Sequence, residues 1–133
     1  MVAYSFKQRF AVAIREGWKT QTIRKGRARH ARPGEMLQMF CGMRTAHCRK
    51  IVADPRCTEV MAVRLSFGAD GVIDAIHTDE VAVRDLDAFA VRDGFTDIDD
   101  MSAFWRKEHC PLAGLEFNGV LIEWAAPRSE ARS

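Results

Sequence analysis

The segment GWKTQTIRKGRARHARPGE, residues 17–35, joins the end of a helix to a strand and then to a basic loop. Gly17 is suited to end a helix because glycine adopts the left-handed backbone conformation without steric cost. The threonines and the isoleucine of KTQTIR favour a strand that places Thr20, Thr22 and Arg24 on one face. A proline and a glycine close the loop that follows.

This segment also carries six cations and no acid before its last residue: Lys19, Arg24, Lys25, Arg27, Arg29 and Arg32. The net charge of +2 hides an asymmetry between the two halves of the chain. Residues 1–50 hold 12 Lys or Arg and 2 Asp or Glu (12 − 2 = +10), whereas residues 51–133 hold 8 Lys or Arg and 16 Asp or Glu (8 − 16 = −8). A basic half favours contact with a polyanion such as nucleic acid. The alternative is that this half docks on the acidic half of the same chain or of a second copy.

Outward from this segment, the sequence predicts one helix, several strands, two helices and a closing strand. The helices are SFKQRFAVAIREG with Ser5 as N-cap, DLDAFAVRDG and DIDDMSAFWRKEH; the strands beyond KTQTIR are EMLQMFCG, TAHCRKIVAD, TEVMAVRLSFG, VIDAIHT and LEFNGVLIEWA. This order predicts an α+β domain with a mostly antiparallel sheet of about five to six strands, flanked by about three helices and able to curl into a small β-barrel. We expect a single domain over residues 1–126 and a disordered tail over residues 127–133.

The composition favours one core: the chain has 133 residues, 47% of them hydrophobic. Its apolar runs are far shorter than the ~18 to 20 residues that cross a bilayer, and no signal peptide is recognisable, so we expect a soluble cytoplasmic protein, monomeric or weakly dimeric. We interpret Cys41, Cys48, Cys57 and Cys110 as thiols. A zinc site formed by the first three of these cysteines and His47 is the alternative, but it lacks a C-x-x-C pair, so we predict neither a metal nor a cofactor.

Lys19, Thr22 and Asp93 are the candidate catalytic residues. A threonine hydroxyl becomes a nucleophile only when a base takes its proton, and a lysine can be that base only where burial or nearby cations lower its pKa. Asp93 lies at the end of a predicted helix, where the helix dipole disfavours an acid, and Lys19 could compensate it. The alternative is that Lys19 is a solvated lysine at the end of a helix, that Thr22 only favours the strand, and that Asp93 belongs to a turn that ends a helix.

The loop RKGRARHARPG suits phosphate, since guanidinium groups bind phosphate in a bidentate manner and glycine allows close approach of the backbone. Trp18 and Phe95 are candidates for stacking on a base, with packing in the core as the alternative. The predicted set of binding residues is Trp18, Thr20, Arg24, Lys25, Arg27, Arg29, His30, Arg32 and Phe95.

Several motifs together resemble the ASCH family of the PUA-like superfamily, over residues 6 to 125. They are F-x-x-R-F-x-x-x-I-x-x-G-x-K-T-Q-T-I-R, H-A-R-P-G-E-x-L-Q, C-R-K-I, F-A-V-R-D-G-F and F-N-G-V-L-I-E-W. The resemblance implies a small β-barrel with a cleft for RNA or a modified nucleobase. Some relatives remove the acetyl group from N4-acetylcytidine with a Lys, a Thr and a Glu. These residues match Lys19, Thr22 and, with a carboxylate one methylene shorter, Asp93.

Three functional hypotheses follow from the residues and the resemblance. The first is a domain that binds RNA or a modified nucleoside and hydrolyses N4-acylated cytidine, with Thr22 as nucleophile, Lys19 as base, Asp93 as orienting acid and Arg24 at the oxyanion. The second is a ribonuclease for single-stranded RNA in which His30 or Lys19 acts as acid or base. The third is a non-catalytic RNA-binding module.

Overall fold

The structure is a computed structural model that describes residues 1–26, 29–43, 45–109 and 114–127. The described strands are β1 (Val2–Phe6), β2 (Gln21–Arg24), β3 (Leu37–Cys41), β4 (Arg49–Lys50), β5 (Cys57–Phe67), β6 (Ile73–Thr78), β7 (Val81–Ala82) and β8 (Glu116–Trp124). The described helices are α1 (Ala11–Glu16), which a 3-10 turn (Gln8–Phe10) precedes, α2 (Leu86–Arg92) and α3 (Ile98–Glu108). The α+β class and the three helices are therefore confirmed.

The described strands form two sheets and do not close into the predicted barrel. Five strands lie in the order β2-β8-β5-β6-β7, and all their pairings are antiparallel. The other sheet has the order β1-β3-β4, in which β1 runs parallel to β3. The barrel prediction fails because β1 pairs with β3 and leaves β2 at an edge of the larger sheet.

The first predicted helix is partly wrong, because its proposed start lies in a strand. Val2, Tyr4 and Phe6 are buried and alternate with more exposed residues, which is the two-residue period of β1. The α-helix begins only at Ala11. Gly17 ends α1 as predicted, with φ of 85° and its N–H donating to the carbonyl of Ala13 at 3.1 Å.

The remaining predicted elements are mostly confirmed. Strands β3, β6 and β8 lie within their predicted segments and β5 begins one residue before its segment, whereas TAHCRKIVAD forms only the two-residue β4, and β7 was not predicted. Asp85 and Asp97 cap α2 and α3, since their carboxylates accept hydrogen bonds from the N–H groups of Ala88 and Asp100 at 2.9 and 2.8 Å.

Backbone hydrogen bonds bring the segment before β2 to the end of α2. The N–H of Thr20 donates to the carbonyl of Arg92 at 2.9 Å, and its carbonyl accepts from the N–H of Trp124 in β8 at 3.0 Å. Lys19 and Asp93 each lie next to one of these bonded residues. The fold thus places two residues 74 positions apart in sequence side by side.

The last sequence predictions concern the C-terminal tail, the cysteines, a metal site and membrane spans. The proposed disordered tail lies outside the described residues except for Pro127, and Cys110 lies outside them as well. Cys41, Cys48 and Cys57 are free thiols. Within the described ranges, no three His, Cys, Asp or Glu side chains are grouped as metal ligands would be, and no helix has the length and hydrophobicity to span a membrane.

Candidate active-site cavity

A cavity of about 320 Å³ lies between β1, β2, α3 and the turn that follows α2. Its charged and polar lining consists of Ser5, Lys7, Lys19, Thr22, Arg24, Lys25, Asp93, Glu108 and His109. Its aromatic lining consists of Phe6, Phe10, Phe95, Phe104, Trp105 and Phe117. All three predicted catalytic residues therefore line the same cavity.

Lys19 is buried at the inner side of this cavity, with 2% of its surface exposed. Its Nζ donates one hydrogen bond to the carbonyl of Gln21 at 2.8 Å and another to the carbonyl of Asp93 at 2.5 Å. It also lies 4.8 Å from the centre of the Phe10 ring and 5.6 Å from that of Phe6. These contacts fix the amine in one position.

Burial is the main reason that the pKa of Lys19 falls from 10.5 to about 8. The negative charge of Asp93 opposes this shift, whereas the guanidinium groups of Arg24 and Arg9 add to it. About one tenth of the amine is then neutral at pH 7, compared with less than a thousandth for an exposed lysine. Of the two causes predicted from the sequence, burial contributes most to the fall in the pKa and nearby cations add to it.

Asp93 is buried as well, with 4% of its surface exposed. Burial raises its pKa to about 6, against the opposing effects of Lys19 and of a hydrogen bond from the side chain of Gln21, whose Nε2 lies 3.4 Å from Oδ1. Within the described ranges, no ion pair joins the carboxylate to Lys19; the backbone carbonyl of Asp93 holds the amine. The carboxylate therefore acts on Lys19 through the field and not through contact.

Thr22 and Arg24 project into the cavity from β2, as the two-residue period predicts. The Nε of Arg24 donates to the Oγ1 of Thr22 at 3.2 Å, and its Nη2 donates to the carbonyl of Ser5 at 2.7 Å. This guanidinium also lies 4.9 Å from the centre of the Phe6 ring. Arg24 therefore fixes the hydroxyl of Thr22, and no hydrogen bond joins Thr22 to Lys19 in the part of the chain that the structure describes.

Gly94 allows Lys19 to approach the end of α2 closely. Its φ is +98°, and a Cβ at this position would lie 2.7 Å from the Cδ of Lys19 and 2.8 Å from a ring carbon of Phe10. Only a glycine fits both this backbone conformation and this space. Gly94 therefore both forms the turn that ends α2 and leaves space for the side chain of Lys19.

The other predicted binding residues divide between the cavity and other surfaces. Lys25 and Phe95 line the cavity. Trp18, Thr20, Arg29, His30 and Arg32 do not line it, and Arg27 lies outside the described residues.

Three of the residues outside the cavity have clear structural contacts. Trp18 donates from Nε1 to Glu16 at 3.2 Å, and Arg29 forms an ion pair with Glu35. His30 stacks on Tyr4, with ring centres 6.0 Å apart. Of the loop cations that the structure describes, Lys25 therefore lines the cavity, whereas Arg29 and Arg32 do not.

Sequence reasoning missed most of the cavity wall opposite Lys19. The helix α3 contributes Phe104, Trp105 and Glu108, whose spacing of three and four residues marks one helical face. His109 follows this face and stacks on Trp105 with ring centres 4.3 Å apart. Burial and the nearby Lys25 lower the pKa of His109. The i, i+3, i+4 pattern could have identified this wall.

Part of the charge asymmetry is satisfied within the chain. Lys7 pairs with Glu108 at 3.2 Å, and Arg9 pairs with Asp100 at 2.8 Å, so cations of the basic half bind acids of the acidic half. Both pairs lie at α3, next to the cavity wall. The interpretation that the two halves attract each other therefore accounts for some of the cations.

Comparisons of the chain with models of protein families, with curated proteins and with solved structures found no match. The likeness to the ASCH family therefore remains a prediction from the motifs.

Proposed function

We propose that this chain is an ASCH-like hydrolase that binds a modified nucleoside and cleaves the amide bond of an N4-acylated cytidine. The observation that carries the proposal is that Lys19, Thr22 and Asp93 line one cavity in which burial lowers the pKa of the lysine. Perturbed titratable groups that share a cavity with a potential nucleophile are typical of active sites.

The size and lining of the cavity favour a single nucleoside over a strand of nucleic acid. A volume of about 320 Å³ is at the lower end of the range for small-molecule sites. Aromatic side chains such as Phe6, Phe104 and Phe117 offer apolar surfaces for a planar base. A groove for RNA would instead need a long, open basic surface.

The proposed reaction begins with attack of the Thr22 hydroxyl on the acyl carbonyl carbon. Lys19 takes the hydroxyl proton, and Arg24 stabilises the negative charge on the carbonyl oxygen. The C–N bond then breaks, the amino group of cytidine leaves with the proton from Lys19, and an ester on Thr22 remains. Water hydrolyses this ester to give the free acid and to restore the hydroxyl.

The contacts of Lys19 are compatible with the role of a base. In the neutral amine, two N–H groups can donate to the carbonyls of Gln21 and Asp93, and the lone pair then occupies the remaining position on nitrogen. Substrate binding that turns Thr22 away from Arg24 would bring its proton to this lone pair. Such hydrogen bonds often form only in the complex with substrate.

The ribonuclease and the non-catalytic RNA-binding module have less support. Both ring nitrogens of His30 are occupied, one by the hydroxyl of Tyr4 at 3.0 Å and one by the carbonyl of Lys25 at 2.7 Å. Arg29 is paired with Glu35. Neither side chain lines the cavity, so the histidine predicted as acid or base lies apart from the other candidates.

The test is to incubate the protein with N4-acetylcytidine and to measure cytidine by chromatography. We expect turnover by the wild type, and a loss of at least about a hundredfold in Thr22→Ala and in Lys19→Met. Thr20→Ala is the matched control, because Thr20 is a neighbouring threonine outside the cavity, and it should retain activity. Absence of turnover by the wild type, or full turnover by Thr22→Ala, would exclude this reaction.

A further inference from the structure

Lys25 differs from the other cations of the cavity lining. Its side chain lines the cavity but is exposed to solvent, which places it at the mouth. Lys7, by comparison, is neutralised by Glu108 at 3.2 Å. No ion pair of Lys25 is present within the described ranges. The mouth therefore presents an ammonium group that no acid of the described chain compensates.

Hydrogen bonds through Tyr4 and His30 hold the backbone of Lys25 in place. The N–H of Ala31 donates to the Tyr4 hydroxyl oxygen at 3.1 Å, and this hydroxyl can donate to Nδ1 of His30 at 3.0 Å. The proton of the ring is then on Nε2, which donates to the carbonyl of Lys25 at 2.7 Å. The residue predicted as a catalytic histidine thus holds the backbone of the lysine that lies at the cavity mouth.

The charge of the lining matches a phosphate monoester. Four cations and two carboxylates line the cavity, which is a formal balance of 4 − 2 = +2 when Lys19 is charged and 3 − 2 = +1 when it is the neutral base. A phosphate monoester carries about −1.5 to −2 at pH 7. An uncharged nucleoside would leave this balance uncompensated, whereas a nucleoside monophosphate would neutralise it.

The spacing along the chain also suits one nucleotide. Thr22 lies in β2 and Lys25 is the residue after its end, so their Cα atoms are at most about 10 Å apart. A nucleotide can span this distance when its base lies near Thr22 and its phosphate lies at Lys25. The aromatic side chains between β1 and α3 would enclose the base.

We propose that the ligand of this cavity is a nucleoside monophosphate, with its base among the aromatic residues near Lys19 and its phosphate bound by Lys25 at the mouth. This inference deepens the proposed function and rests on it for the identity of the base. The proposed ligand is a free nucleotide and not a polynucleotide. The binding of the phosphate can be measured without any turnover.

The experiment compares the affinities of cytidine and cytidine 5′-monophosphate by calorimetry. We expect the monophosphate to bind the wild type about ten- to a hundredfold more tightly, which corresponds to one charge-assisted hydrogen bond. Lys25→Ala and Lys25→Gln should both reduce this preference to about threefold or less. Arg32→Ala removes the same charge from the same loop but outside the cavity, so it should retain the preference.

Equal affinities for cytidine and its monophosphate in the wild type would overturn the proposal. An equal loss of the preference for the monophosphate in Arg32→Ala and Lys25→Ala would also overturn it. Tighter binding of a ten-nucleotide single-stranded RNA than of the monophosphate would do the same, because both results indicate an extended polyanion surface. Turnover of N4-acetylcytidine is measured separately. Preference for the monophosphate without turnover would keep the phosphate site and exclude the hydrolase, whereas turnover without preference would do the reverse.

Discussion

Replacement of Gly94 by alanine tests the packing of the candidate site directly, because it adds one methyl group beside Lys19. The new Cβ would lie 2.7 Å from the Cδ of Lys19 and 2.8 Å from a ring carbon of Phe10, and both side chains are buried. Such an overlap typically costs about 1 to 3 kcal/mol in a packed interior. The backbone at φ of +98° adds about 1 to 2 kcal/mol for any residue with a Cβ.

Gly34→Ala is a matched control for the backbone part of this cost. Gly34 has φ of +90°, and a Cβ there would meet nothing within 4 Å. We expect a loss of about 1 to 2 kcal/mol in Gly34→Ala and of about 2 to 5 kcal/mol in Gly94→Ala. The difference between the two losses reports the overlap with Lys19 and Phe10.

The assay is urea unfolding followed by tryptophan fluorescence, with both variants measured at one pH. A second comparison places Gly94→Ala in a Lys19→Ala background, where one of the two overlapping side chains is shortened. The cost of the added methyl group should then fall by about 1 kcal/mol or more. Equal losses in Gly94→Ala and Gly34→Ala, with no coupling to Lys19, would refute the close contact between the end of α2 and the lysine.

Three further predictions concern titration and burial. The kcat/KM of amide hydrolysis should rise with pH up to about 8 and then level off, because the base must be neutral; a profile that falls over this range contradicts the role of Lys19. The folded protein holds the Asp93 proton up to about pH 6 and the unfolded chain only to about 3.8, so this residue lowers the free energy of unfolding by about 2 kcal/mol as pH rises from 4 to 6. Asp93→Asn should remove that decline in pH-dependent urea unfolding. Ser102→Ala should cost about 1 to 3 kcal/mol in the same assay, because it leaves the buried N–H of Ile73, now bonded at 2.9 Å, without an acceptor.

The sequence predicted the residues of the candidate site better than the connections of the fold. Gly17, the strand that carries Thr22 and the D-G turn at Asp93 each have a local signal, and the resemblance supplied the reason to combine them. Convergence on one cavity follows because backbone bonds from Thr20 join both segments. The bond from Thr20 to Arg92 joins residues that are far apart in sequence, so no local pattern predicted it, and the combination came from the resemblance.

The parts that the sequence did not predict depend on pairing over a distance. The last two residues of β1, Ser5 and Phe6, were predicted as the start of a helix because Phe6 and Phe10 have helical spacing, whereas in the structure they pair in parallel with β3. His30 gave a sequence signal for catalysis, but its ring is used by Tyr4 and the carbonyl of Lys25. No local pattern indicates that a basic-loop histidine will stack on a tyrosine of another strand.

The energetic cost of burying Lys19 supports the role that we propose for it. The fall of its pKa from 10.5 to about 8 means that the folded state holds the charged amine at a cost of about 3 kcal/mol at neutral pH. The stabilisation from two hydrogen bonds to backbone carbonyls is of similar size, about 1 to 3 kcal/mol in total. A neutral polar side chain could satisfy one of these carbonyls without the cost of a buried charge. Burial perturbs both Lys19 and Asp93 beside a threonine in one cavity, which is the arrangement that the proposed proton transfer requires.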